Sequence, residues 1–435
     1  MNRTVGLILA LMLLAPIIGA QEAAQPLMID QAVQTALANN LTIRSARQEV
    51  SAARARISSA ESARFPQVEA NVQHTRLTNV PDVEIPSLGP GIPPQTFSIS
   101  AKSNTVASII ARQAIYTGGR VSAQVSRAEA QYDLAVARLG VTEADVALQT
   151  REGYYGVLLA QSLVRSAEQS LSAAQAQLKT ATDRFEVGTA ARFDVLRAQT
   201  QVSEAEQTLT ESRNQVEISG VALNRVLGLP LDKPLALAEP TAAPQPAQNM
   251  AELIETANQR RGELLVARAQ VAAAESGIRL ARADRLPQLG ASANYQKPTN
   301  DTPALSTGWT FMATASLEIF DGGRIRANTL EAKALTEEAR INLQDTSRAV
   351  EQDVRQANLN LQAARQTVET ARTRLAQAQE AYEVATVRYE EGVGTAVEVA
   401  DALATLAAAR TNLDRATFDY DTADARLQRA LGNVE

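Results

Sequence analysis

An internal duplication constrains this chain more than any other feature. Gly118-Gly119 and Gly322-Gly323 lie 204 positions apart, as do RFEVG (Arg184 to Gly188) and RYEEG (Arg388 to Gly392). RVLG (Arg225 to Gly228) and RALG (Arg429 to Gly432) keep that offset without a gap. RFPQ (Arg64 to Gln67) and RLPQ (Arg285 to Gln288) lie 221 apart, so the first half is 17 residues longer between these landmarks. The Pro-rich stretch Pro81 to Pro94 accommodates the excess. Self-similarity at a fixed period means two copies of one supersecondary unit. We place them at 21–237 and 249–435, joined by the linker AEPTAAPQPAQ at 238–248.

Each unit reads helix, strand, strand, helix, helix. Pro66 and Pro287 push the preceding residue out of the helical region and end the first helix. Alternating stretches follow, with strands expected near 67–76, 104–116, 288–297 and 308–320. In WTFMATASLEIF, Trp309, Phe311, Ala313, Ala315, Leu317 and Ile319 share one face, and Thr310, Met312, Thr314, Ser316 and Glu318 share the other. The pairs Gly118-Gly119 and Gly322-Gly323 then turn a strand sharply into a helix, because glycine takes positive φ without steric cost.

The helices after these glycines carry a seam of period seven. Val354, Leu361, Val368, Leu375, Tyr382 and Tyr389 recur every seven residues, each preceded four positions earlier by Val350 or an alanine. The first unit repeats the series from Thr150 to Phe185. An ordinary amphipathic helix drifts by about 20° per heptad, whereas a sustained seven-residue period specifies coiled-coil packing. Gly188 and Gly392 end the long helices at tight turns, and a return helix follows.

Residues 1–20 read as an export signal, with Arg3 ahead of a short apolar core broken by Gly6 and Pro16, and small residues at Gly19-Ala20. A net charge of −6 and the lack of a basic run give no footprint for nucleic acid. With no cysteine there is no lipidated N-terminal Cys. His74 is the only histidine, so neither a His-based triad nor a multi-His metal site can be built, and no GxxxxGK[ST] loop occurs. We expect no enzyme, cofactor or metal.

Four strands with one apolar face fit either of two settings. In lipid they must close into a barrel, which four strands cannot do alone. In water they would pack against helices. Composition does not choose between the two.

The signal segment, the duplicated helix-strand-strand-helix unit, the YTGGR and FDGGR turns, and the R-[FY]-x-x-G tips followed by FDVLRAQ (Phe193 to Gln199) and VEVADAL (Val397 to Leu403) resemble the TolC-like outer-membrane efflux protein family. The resemblance covers essentially the whole mature chain. It implies a mainly α fold with a small β part. A homotrimer would form a 12-stranded outer-membrane barrel, four strands per chain, continued by a long α-helical barrel through the periplasm. The implied partners are a periplasmic adaptor and an inner-membrane pump of RND or ABC type, and the implied function is passive export. The alternative is a coiled-coil tether or stalk of the envelope that exports nothing.

Site expectations follow. Trp309, Phe311, Leu317 and Ile319 should face lipid. The turns around Arg184, Phe185, Gly188 and Thr189, and around Arg388, Gly392 and Gly394, should dock the adaptor. Glu398 and Asp401, at i and i+3, share a helix face just after the second tip. The resemblance makes them the acidic ring of a periplasmic gate, with Asp194 and Tyr389 as partners across the closed tip. Where the family's type member has an arginine that helps hold the closed state, this chain has Gly394.

Overall fold

The computed structural model describes residues 26–80, 82–86, 89, 91, 93–98, 101–239, 249–300 and 306–433. The export signal and most of the linker lie outside the described residues. The first unit contains α1 (Ile29–Asn39), α2 (Leu41–Ser62), β1 (Gln67–Arg76), β2 (Asp82–Ile85), β3 (Gln95–Ser98), β4 (Ser103–Tyr116), α3 (Arg120–Glu186) and α4 (Arg192–Leu227). The second contains α5 (Met250–Arg260), α6 (Gly262–Ala283), β5 (Gln288–Pro298), β6 (Gly308–Ser316), α7 (Arg324–Glu390) and α8 (Ala396–Leu431).

Three expectations need correction. The first helix of each unit is two helices, broken at Asn40 and Arg261, which are extended with ψ 129° and 121°. Asn40 makes the break favourable by accepting from the Thr42 and Ile43 amides. The Pro-rich loop carries an antiparallel hairpin, β2–β3. The last strand ends at Ser316 rather than 320, because its partner β5 begins at Gln288, opposite Ser316, and Pro287 before it has no N–H to donate. Leu317 and Ile319 therefore lie beyond the strand.

Helices α3 and α7 have 67 residues each, which at ~1.5 Å per residue is roughly 100 Å. Each packs on its return helix, α4 or α8, along the expected seam. Val157, Ala160, Ala167, Ala174 and Ala181 are buried on α3, and Val350, Val354, Val368, Ala371 and Ala378 on α7. The last seam positions differ, since Phe185 is 44% exposed and Tyr389 only 6%.

Where the short helices meet the long ones, two cores repeat residue for residue. Ala36, Ile43, Val146, Leu223 and Leu227 in one correspond to Ala257, Leu264, Val350, Leu427 and Leu431 in the other. The helix-ending glycines make this packing possible. Gly228 (φ 69°) and Gly432 (φ 81°) cap α4 and α8, and an added Cβ would lie 2.6 Å from the Asn39 carbonyl oxygen or 2.8 Å from the Arg260 carbonyl carbon. An ion-pair network, Asp145–Arg429–Glu263–Arg261–Asp353, ties α3, α6, α7 and α8 together beside the second core. Burial pushes the Glu263 carboxyl up, but a backbone hydrogen bond and the Arg261 and Arg429 guanidinium groups together hold it below its usual value.

Candidate functional site

Three zones follow one another along the molecule: a sheet, a strand-to-helix junction and a helical tip. The sheet is antiparallel in the order β1-β4-β5-β6. Its registers carry the alternation seen in β6 across all four strands. Ala70 lies opposite Ile109, Ile109 opposite Tyr295, and Tyr295 opposite Trp309. One level along, Val68, Ala111, Ala293 and Phe311 line up in the same way. These residues make one apolar face, whereas Glu69, Asn71, Arg112, Ser292, Asn294, Thr310 and Thr314 lie on the other. Trp309 and Phe311 are 61% and 77% exposed and form a ring cluster with Tyr295. At the opposite end, Tyr116 lies opposite Leu289, and Phe320 is 89% exposed. Leu317 and Ile319, beyond the strand, are 53% and 93% exposed.

At the junction all four turn glycines, Gly118, Gly119, Gly322 and Gly323, have positive φ. The arginines that follow them converge. Arg120 binds the Asp284 carboxylate at the end of α6, and Arg324 approaches its other oxygen at 3.8 Å while bonding Glu318 at 2.6 Å. Asp321 accepts from the Gly323 and Ile325 amides at 2.9 and 2.6 Å, capping α7. The repeated Gly-Gly-Arg therefore fixes both the turn and the start of the long helix. The sequence did not single out Asp284, because Ala63 stands at the matching position of the first unit.

At the tip, Gly188 and Gly392 have φ 77° and 75°. Thr189 donates to the Arg184 carbonyl. Gly394 has no positive φ, but an added Cβ would lie 3.0 Å from the Tyr389 amide nitrogen. Arg184 reaches across to the second repeat and donates to the Tyr389 and Glu390 carbonyls at 2.8 and 3.0 Å, with its guanidinium 4.1 Å from the Tyr389 ring centroid. It thus caps the negative end of α7 from the other repeat. Its counterpart Arg388 instead approaches Glu398 of its own hairpin at 3.8 Å. Asp401 lies 3.7 Å from Arg197. Glu398 and Asp401, three residues apart on α8, thus each have an arginine beside them. Asp194 is not joined to Tyr389 by a hydrogen bond within the chain; its carboxylate accepts from the Ala191 amide, and the Tyr389 hydroxyl is buried without a partner.

Between junction and tip, polar contacts link the two hairpins. Arg426 pairs with Glu152, and Asp414 accepts from Ser162 and Ser166. The apolar seams stay within each hairpin.

A strand sheet with one apolar face, carried on a two-hairpin helical wall, is one segment of a membrane-to-periplasm duct. The chain matches the family model described as outer membrane efflux protein over residues 32–229 and 253–433, and it belongs to that family. It is 27% identical over 352 residues to the outer membrane protein TolC of Vibrio cholerae, covering 79% of this chain and 78% of that protein. It is 24% identical over 413 residues to the cobalt-zinc-cadmium resistance protein CzcC of Cupriavidus metallidurans, covering 95% and 91%. Among solved structures, Vibrio cholerae VceC gives a TM-score of 0.76 at 17% identity, covering 94% of this chain and 97% of that one. The Campylobacter jejuni CmeC channel gives 0.77 at 15%, covering 93% and 85%. The protein is a passive outer-membrane efflux channel with a large periplasmic part. Among the described residues no helix is long and apolar enough to cross a membrane.

Proposed function

We propose that three copies close one 12-stranded barrel and form the exit duct of a tripartite system, receiving cargo from a periplasmic adaptor and an inner-membrane pump of RND or ABC type. The observation that carries this reading is the state of the chain's flanks. Strands β1 and β6 end the sheet with open edges, which lipid does not tolerate. The helices agree. A Cβ at Gly118 would meet the Ala283 carbonyl oxygen at 2.5 Å and Leu286 Cβ at 2.7 Å, whereas nothing lies within 4 Å of one at Gly322. The residues matching Ala283 and Leu286 in the first unit are Ser62 and Phe65, both exposed. A neighbouring copy that presents Phe65 to Gly322 would repeat the packing already made inside the chain.

Trp309 and Phe311, with Leu317 and Ile319 below them, then face lipid, while Thr310 and Thr314 face the lumen. The turns at Gly188 and Gly392 are the adaptor-docking tips, and Glu398 and Asp401 ring the narrow periplasmic end. Relatives include a toluene efflux pump outer membrane protein and a cobalt-zinc-cadmium resistance protein, so family membership leaves the cargo open. Native mass spectrometry of detergent-extracted protein is expected to give a trimer; a monomer or dimer as the main species would reject this assembly and favour an envelope tether.

A further inference from the structure

The arginines of the duplicated Arg-apolar-Pro-Gln motif have no part in the duct as described so far. It ends α2 and α6, just below the apolar face of the sheet. That face is bracketed by aromatics: Tyr295 and Trp309 at the far end, and Tyr116, opposite Leu289, at the near end. Leu289 to Tyr295 is six residues, or ~20 Å at ~3.3 Å per residue, close to the height of an outward apolar band flanked by aromatic girdles. Arg285 lies four residues below Leu289, and Arg64 four below Val68. Both arginines therefore lie at the level where an outer-membrane barrel meets the headgroups of its periplasmic leaflet.

The local charge balance is unlike that of the whole chain. The chain has a net charge of −6, yet the junction holds Arg64, Arg120, Arg282, Arg285, Arg324 and Arg326 against Glu61, Asp284, Glu318 and Asp321. Asp284 and Glu318 are taken by Arg120 and Arg324, and Asp321 by backbone amides. Arg64 and Arg285 are exposed and make no ion pair among the described residues. For Arg285 this exposure is not a matter of missing neighbours, since β5 already lies between β4 and β6, and α6 packs on both α3 and α7.

We propose that Arg64 and Arg285 bind the phosphates of anionic phospholipid in the periplasmic leaflet, giving six such guanidinium groups around the trimer. A guanidinium offers parallel N–H donors to two phosphate oxygens and is weakly hydrated, so it suits this partner better than a lysine would. This inference rests on the barrel reading above, and its test separates the two.

Full-length protein is exchanged into nanodiscs of phosphatidylcholine with a minority of phosphatidylglycerol, and co-retained lipid is counted by native mass spectrometry after detergent release. Wild type is expected to keep phosphatidylglycerol in preference to phosphatidylcholine. The Arg64→Gln, Arg285→Gln double variant should lose that preference by about tenfold, and each single variant by part of it. Arg374→Gln, the same charge change far down α7, should keep it. A wild-type trimer without the preference, or a double variant that retains it, overturns the lipid assignment while leaving the barrel intact; failure to form a trimer in lipid rejects the barrel itself. Displacement of the bound lipid by excess inorganic phosphate would mark a general anion site and also overturn it, as would variants whose only change is in ion selectivity, because that would put both arginines on the lumen.

Discussion

Matching glycines in the two repeats have different surroundings, and their substitution should report on different things. At Gly118 an alanine meets a backbone oxygen within the chain, so Gly118→Ala should destabilise the protomer by more than the ~1–2 kcal/mol that left-handed backbone costs a non-glycine residue. At Gly322 only the conformational cost applies inside the chain (φ 66°). If the next copy presents Phe65 there, Gly322→Ala should instead lower the yield of trimer at nearly unchanged helix content, read by native mass spectrometry and circular dichroism. The tip glycines form a third case. Gly188 and Gly392 have open space around the missing Cβ, so Gly188→Val and Gly392→Val strain the turn without a core clash. Export, followed by substrate accumulation in cells, is expected to fall while trimer yield holds; undiminished export would remove these turns from adaptor docking.

Within single elements, periodicity was readable wherever one physical pressure acted along the whole element. The seven-residue seam of α3 and α7 and the alternation of β6 were visible because every position had the same neighbour type. The helix break at Asn40 and Arg261 was not, since it depends on Gly228 and Gly432 arriving from some 170–190 residues away to occupy the space beneath. Asp284 and the tip capping by Arg184 escaped for the same reason: each is a contact between repeats, made by one copy of the unit and not the other. The alternation of β6 leads to a ranking. Phe311→Arg should impair barrel assembly by up to roughly 2–4 kcal/mol, with the full value at the midplane, and Thr314→Arg should be tolerated; heat-modifiable mobility of the trimer on gels would show the reverse order if the faces were swapped. The α3–α8 contact makes a pH prediction. Burial, and then the neighbouring Asp424 charge, push the Asp421 carboxyl up to about 6, on a face shared with Tyr155 and Arg151. A raised carboxyl favours the folded state when protonated, so this contribution is present in acid and is lost as pH rises from ~4 towards that value. Asp421→Asn should remove this loss, giving a helical melting temperature that changes less between pH 4 and pH 7 than the wild type's.

For the whole molecule, the decisive feature is how differently the two kinds of helix contact are built. Each hairpin is internally closed by an apolar seam, and the two hairpins are linked by ion pairs and hydroxyl–carboxylate bonds. Exposed polar contacts are individually weak, so one hairpin can shift against the other at far smaller cost than either seam would demand. The Arg184 contact is the cross-hairpin link nearest the turns, and Glu398 and Asp401 lie one to two turns into the return helix beyond it. In the proposed trimer, three copies would gather six carboxylates at that end. Arg388 and Arg197 stand beside them at 3.8 and 3.7 Å, which moderates the acidic field without abolishing it, since both acids keep about half or more of their side-chain surface in solvent. A ring of this kind attracts cations and is blocked by multivalent ones. Single-channel recording in a planar bilayer is therefore expected to show cation selectivity and multivalent-cation block in the wild type, both lost in Glu398→Ala, Asp401→Ala. The same recording of Arg197→Ala, which frees Asp401 without removing any acid, should show selectivity and block at least as strong as wild type. Selectivity that survives removal of both acids would mean that the constriction lies elsewhere along the duct.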